Sequence, residues 1–249
     1  MKKPPILDHL MRIKEKTKVL EVLQDVLIMH QMLMHNQQTD FQGKNPLEAL
    51  YHSLCAKVTK LDPHGDIFQI INKAVVNTQV RGQINNMGVV VRDIYEIDKP
   101  SETLRFKPFE SKLHNKCLLW HGFRNQQVAS VLREGIRLPH PKSSQAGFMF
   151  GKGIYFSDCF SKAMLQCGLS NGSSDDHDGS PQVAYVLLAE VALGDMHKQF
   201  SPHQFKRSAP NYCHSVYGVG QQKPAPSGVK DLMQNGPDFS PDIATFSTP

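Results

Sequence analysis

At 249 residues and 28.0 kDa the chain can hold one large domain or two small ones. Its 40% hydrophobic and 20% charged residues are the composition of a soluble globular protein, and no stretch approaches the ~18 consecutive apolar residues of a membrane span. A net charge of +5, spread rather than massed, permits weak attraction to nucleic acid without predicting it.

The start, "MKKPPILDHLMRIKEK", carries lysines but no apolar h-region, so it does not read as a secretory signal. The residues up to about 80 read as helical. "TKVLEVLQDVLIMHQMLM" (17–34) places Val19, Leu23, Val26 and Leu33 at helical spacing. "NPLEALYHSLCAKVTKL" opens with Asn45 as N-cap and Pro46 at the first helical position, and Leu47, Leu50, Tyr51, Leu54 and Val58 form one apolar stripe. After "DPHG", Ile67, Ile70, Ile71, Ala74 and Val75 repeat the pattern. The reading is a bundle that buries these stripes together, with Met and Leu as core rather than cofactor contacts.

From about residue 85 the texture changes to short runs rich in Val, Ile, Tyr and Phe: "MGVVVRDIYEI", "LRFKPF", "NKCLLWHG", "KGIYFSD" and "QVAYVLLAEV". Bounded by Gly, Pro, Asn and Ser, they predict strands. One helix interrupts them, "NQQVASVLREG" (125–135), with Asn125 as cap and Gly135 at its C-terminal end. "SNGSSDDHDGSP" (170–181) reads as a solvated loop, despite His177 among aspartates. The tail from 223 carries turn residues and only weak strand patterns. The fold class is therefore α+β, with a mixed, mostly antiparallel second half.

Five scattered cysteines without a C-x-x-C pair argue against a disulfide framework and a structural zinc, and point to a reducing compartment. Twelve histidines show no metal-ligand spacing, so no metal is expected. Three features invite chemistry. In "LLWHGFR" an apolar strand ends in His121-Gly122, where a polar ring sits beside bare backbone that a ligand can approach; an ordinary turn cap explains the pair equally well. "FGKGIYFSD" (150–158) satisfies neither the Walker A nor the Rossmann spacing, so its glycines read as a tight turn, and Tyr155 as core or as a stacking face. Glu134 and Glu190 are candidate acids, the first in the last turn of a helix and the second interrupting an apolar strand, and neither has an acid–base companion nearby in sequence.

Taken in order, "MKKPPILDHL", "KPFESKLHNKCLLWHG", "GFMFGKGIYFSDCFSKA", "VLLAEVALGDM" and "HSVYGVGQQKPAPSG" resemble the catalytic region of the poly(ADP-ribose) polymerases, within the diphtheria-toxin-like ADP-ribosyltransferases. The resemblance is to the DNA-damage-responsive branch. It implies a partial helical regulatory domain over 1–80 and a transferase domain over 81–249, built as two packed antiparallel sheets around an NAD cleft. It also implies NAD as co-substrate, protein acceptors such as chromatin proteins or the chain itself, DNA contact only through modules this chain lacks, no membrane, and a nuclear location. By the same resemblance His121 would bond the ribose hydroxyls and Gly122 the nicotinamide amide through its backbone. Tyr155 would stack on the nicotinamide, Lys162 would support that pocket, and Arg137 would lie on the adenosine side.

Four positions depart from the family pattern: Ala163 for a serine, Gln166 for a stacking tyrosine, Phe148 for another tyrosine, and Phe123 for a small hydroxyl residue. The lost hydrogen bond and stacking face are together worth about 1–3 kcal/mol, or tenfold to a hundredfold in affinity. The family's triad glutamate lies in a later phrase like "NEYIVYD", beyond Pro249, and Glu190 matches a different glutamate. The expectation is thus a transferase region truncated at both ends and lacking its last strands, either active by family or an inactive NAD-cleft module.

Overall fold

The computed structural model describes residues 11–13, 16, 19–20, 23, 26–27, 30, 34, 45–79, 89–138, 149–168, 183–201, 210–220, 229–231 and 242–244. The described residues between 11 and 34 are helical, as the spacing predicts, and Val19, Leu23 and Val26 are exposed. Leu33 and the 170–181 loop, His177 included, lie outside the described residues.

Helix α1 (Pro46–Ser53) begins where the sequence placed it, with the Asn45 side chain accepting the Leu47 N–H at 3.0 Å. It ends earlier than the stripe predicts. Cys55 takes a left-handed φ of 49°, and Val58 lies in strand β1 (Lys57–Lys60), not in a helix. The first 80 residues are therefore not all helical. Leu47 and Tyr51 of that stripe are exposed, whereas Leu50 and Leu54 are half-buried. Helix α2 (Asp66–Asn77) buries Ala74 and Val75 of its stripe, and Phe68 as well, with Ile70 and Ile71 half-buried and Ile67 exposed.

Strand β2 (Tyr95–Asp98) pairs antiparallel with β1, Val58 facing Ile97; residues 89–94 of the expected strand are irregular. "LRFKPF" is not a strand. It lies in helix α3 (Pro100–Glu110), which Pro100 starts at the first helical position, where its fixed φ suits a helix and its missing N–H costs nothing. Leu104 and Phe109 stay exposed on this helix.

Strand β3 (Lys116–Gly122) leads through a 3₁₀ turn (Asn125–Gln127) into helix α4 (Val128–Glu134), which Gly135 ends at φ 79°. The start cap is Arg124, not Asn125. Helix α5 (Phe160–Met164) continues into a second 3₁₀ turn (Leu165–Cys167). Strand β4 (Val186–Ala192) pairs antiparallel with β3 along its whole length. Strands β5 (Met196–Gln199) and β6 (Ser215–Gly218) run parallel, and β7 (Val229–Asp231) and β8 (Asp242–Ala244) antiparallel. The architecture is thus α+β, with the described strands joined in two-stranded pairs.

The core forms where α2, β3, β4 and α5 meet. Ala74 and Val75 pack with Trp120, Phe160 and Ala163, and Ile70, Ile71, Leu118, Val186 and Leu188 surround them. Trp120 meets Phe160 edge-on, with centroids 5.3 Å apart at 84°, a pair worth about 0.5–1.5 kcal/mol beyond the area it buries. This core faces one side of the β3–β4 ribbon, and that fixes the side on which each later side chain emerges.

Candidate functional site

Side chains alternate across a strand, and directly paired residues share a face. Leu118 and Trp120 of β3 look into the core, so His121, the next residue, emerges on the opposite face. The outer edge of β3 is held at one point: Trp120 and Ser157 exchange two backbone hydrogen bonds of 2.8 Å. That bridge lays the segment ending in Ser157 beside His121. The predicted strand over 154–156 does not form, because its polar groups are used otherwise. His121 Nδ1 lies 2.8 Å from the Tyr155 carbonyl oxygen. The Tyr155 hydroxyl donates to the Gly151 carbonyl at 2.5 Å and accepts the Phe150 N–H at 3.1 Å. Gly151 permits this turn with φ 95°, a conformation a side chain would strain.

A carbonyl oxygen carries no proton, so the 2.8 Å contact requires His121 to donate from Nδ1. When the ring is neutral, Nε2 is then an acceptor. Burial pushes the imidazole below its usual 6.5, and the Tyr155 carbonyl partly opposes that. Burial likewise raises the Tyr155 hydroxyl, so both groups are held neutral.

Gly122 is buried for a packing reason. A Cβ there would lie 1.8 Å from the Ala163 carbonyl oxygen, so α5 sits directly on the strand end. Ala163 itself is 1% exposed and belongs to the core. A clasp from α2 holds α5 in place. Thr78 accepts the Phe160 N–H through its hydroxyl at 3.0 Å, and donates that hydroxyl to the Ala74 carbonyl at 2.9 Å. Its own carbonyl accepts from the Ser161 hydroxyl at 3.3 Å. Sequence reasoning passed over Thr78, since only the meeting of two distant segments gives it a task.

Of the remaining predicted residues, Phe123 and Gln166 lie beside His121-Gly122 and Arg137 lies apart. Phe123 is buried, and its ring stacks on His121 with centroids 6.2 Å apart at 22°. Lys162 is exposed on α5, close enough to Asp158 for their charges to interact. Arg137 is exposed and ion-paired to Glu134, and no described contact joins it to His121 or Tyr155. Phe148 lies outside the described residues. Gln166 is exposed, with its Cβ facing Gly122. Glu190 pairs with Leu118 and shares its face, so it is on the side of the sheet away from His121. Its Oε1 is buried without a partner among the described residues, and burial raises its carboxyl.

Asp158 is a residue the sequence reading did not single out, although it closes the phrase that carries Tyr155. Burial raises its carboxyl above the usual range, with Lys162 opposing, and Tyr217 of β6 lies within its field. Burial and Asp158 together push the neighbouring Cys159 thiol up to about 11, which disfavours its thiolate. Among the described residues no group of three His, Cys, Asp or Glu side chains could hold a metal ion, and no helix is long and apolar enough to cross a membrane.

A family model described as the poly(ADP-ribose) polymerase catalytic domain matches residues 66–244. Poly(ADP-ribose) polymerase 1 of Xenopus laevis is 35% identical over 232 residues, which are 93% of this chain and 22% of that protein. The Gallus gallus protein of the same name is 34% identical, with the same two coverages of 93% and 22%. Poly(ADP-ribose) polymerase 2-B of Oryza sativa is 31% identical over 88% of this chain and 34% of its own length. The chain thus spans about a fifth to a third of these relatives.

Proposed function

The chain belongs to the poly(ADP-ribose) polymerase catalytic-domain family, and from that membership we propose that it is an NAD-dependent protein ADP-ribosyltransferase. It would move ADP-ribose from NAD to a protein side chain and release nicotinamide. The observation that carries the reading is the hydrogen bond of 2.8 Å between His121 and the Tyr155 carbonyl. It joins the strand-end phrase and the glycine-turn phrase into one site.

NAD supplies the ADP-ribosyl group and a cationic leaving group. His121, donating from Nδ1, keeps Nε2 free to accept from a ribose hydroxyl and so to orient the sugar. Tyr155, tied at its hydroxyl to residues 150 and 151, offers a fixed aromatic wall for the nicotinamide ring. Gly122 would meet the nicotinamide amide through its main chain, and Ala163 leaves a methyl where relatives place a serine. Phe123 and Phe148 would belong to the same NAD site, Lys162 would support it from α5, and Arg137 would lie on the adenosine side. Protein acceptors, the chain itself among them, and a nuclear location belong to the same proposal.

Incubation with NAD labelled on the adenylate should give labelled protein and free nicotinamide. His121→Ala should lower that turnover on the order of 100-fold, the cost of a misplaced reacting group. Intact NAD, with no binding heat from NAD or a nicotinamide-like inhibitor, would sink the reading. A second reading, an NAD-binding module without transfer, is favoured by the placement of Glu190. Its carboxylate is on the far face from His121 and cannot stabilise positive charge there. Binding heat without labelled product would select this second reading.

A further inference from the structure

Phe123 stands in line with the proposed NAD pocket, yet the residue is only 6% exposed and has little surface to offer a ligand. What the ring touches is His121. The two planes lie within 22° of each other at 6.2 Å, and Phe156 meets the same imidazole at 5.3 Å and 47°. Both distances are in the range where aromatic pairs attract.

A lone hydrogen bond to Nδ1 does not fix an imidazole that water can reach. The ring can turn over, or move its proton to Nε2 and let water serve Nδ1. Stacked rings block the first escape by occupying the space the turn would sweep, and remove the second by excluding the water. Phe123 can do this because it is held itself. Its backbone is in hydrogen-bonding reach of the buried Cys167 sulfur, and Gly122 before it is pinned under the Ala163 carbonyl.

We propose that Phe123 is a positioning residue for His121: its stacked ring, with Phe156, locks the imidazole onto the Tyr155 carbonyl as the Nδ1–H tautomer and so keeps Nε2 an acceptor. The inference rests on His121 orienting the ribose, as proposed above, but its geometry does not. No charged side chain contributes to the displacement of His121, which comes from burial and the Tyr155 carbonyl alone. An uncovered ring would therefore return to ordinary histidine behaviour.

The test is histidine NMR on the full chain, with the His121 signal assigned by its loss in His121→Gln. Nitrogen shifts of wild type should show one neutral tautomer, Nδ1–H, and titration should give a pKa below 6.5. In Phe123→Ser an Nε2–H population should appear and the pKa should rise toward 6.5. Phe123→Tyr should restore both. A cooperatively folded Phe123→Ser with unchanged tautomer and pKa overturns the proposal. If that variant does not fold, Phe123→Ala decides by the same tautomer readout, since it too opens the imidazole to water; an unchanged tautomer there also overturns it. Calorimetry with NAD on wild type keeps the two readings apart. Absent binding would fail the transferase reading and leave the NMR result standing, whereas an unmoved tautomer with intact binding would fail this one alone.

Discussion

Replacing Gly122 by alanine adds a single methyl group at the point where β3 and α5 touch. The new Cβ would lie 1.8 Å from the Ala163 carbonyl oxygen and 2.7 Å from its carbon, whereas ordinary contact begins at 3.4 Å. The helix must therefore retreat by about 1.6 Å at that point. Both clashing atoms are backbone, so no rotamer change relieves them. The retreat also pulls on the Thr78 clasp and the Trp120–Phe160 contact. Overpacking a tight interior costs about 1–3 kcal/mol, and a backbone clash belongs at the upper end. At about 3 kcal/mol the melting temperature should fall by roughly 6–12 °C for a unit of this size. Gly153→Ala is the matched control, since nothing lies within 4 Å of its added Cβ. It should change stability by no more than about 0.5 kcal/mol. Differential scanning calorimetry on both variants and wild type gives the answer. If Gly122→Ala melts within a degree or so of wild type, α5 does not sit on Gly122 as described, and the packing account of this glycine is wrong.

Thr78→Val keeps the volume but leaves the buried Phe160 N–H without its acceptor, a loss of about 1–3 kcal/mol that urea unfolding should detect. In a double-mutant cycle with Ser161→Ala the two losses should be less than additive, because both residues serve one clasp; strict additivity would show that they act separately. The pH dependence of stability carries a sign set by His121. Its folded pKa lies below 6.5, so below that pH the unfolded chain takes up the proton first, and stability is lost as pH falls through the window beneath 6.5. The difference in unfolding free energy between wild type and His121→Gln should therefore shrink from pH 7.5 toward pH 5. Asp158 and Glu190, raised by burial, act in the opposite sense and cancel in that difference. A difference that stays flat across the window would refute the buried, neutral histidine.

What the sequence revealed about this fold was local. Asn45-Pro46 marked a helix start because an N-cap and a fixed φ act within one turn, and the cap is there at 3.0 Å. Of the stripe Ile67, Ile70, Ile71, Ala74 and Val75, the last four were legible because a single helix face packs them against the core, while Ile67 stays exposed. The same spacing misled at Val58, whose partner Ile97 lies 39 residues on, where no local period can reach. "LRFKPF" misled because a short run bounded by turn residues does not by itself supply a sheet, and Pro100 carried the contrary signal four residues earlier.

The candidate site repeats that division at closer range. His121 and Tyr155 were visible as residue types at a strand end and beside a glycine turn, and the resemblance joined them. How they meet was not visible. Tyr155 contributes its carbonyl to His121 and ties its hydroxyl back to residues 150 and 151, and no pattern announces a tyrosine used at both ends. Glu190 shows the converse. Its sequence could only place a carboxylate in an apolar strand, facing water, a cleft or a partner. One fact of register, Leu118 opposite Glu190, puts it on the core side of the ribbon. The same register, three residues along from Leu118 and so of opposite parity, turns His121 to the other side. A strand pair therefore decides which of two candidate groups can share a site, and it does so by parity alone, before any distance is measured.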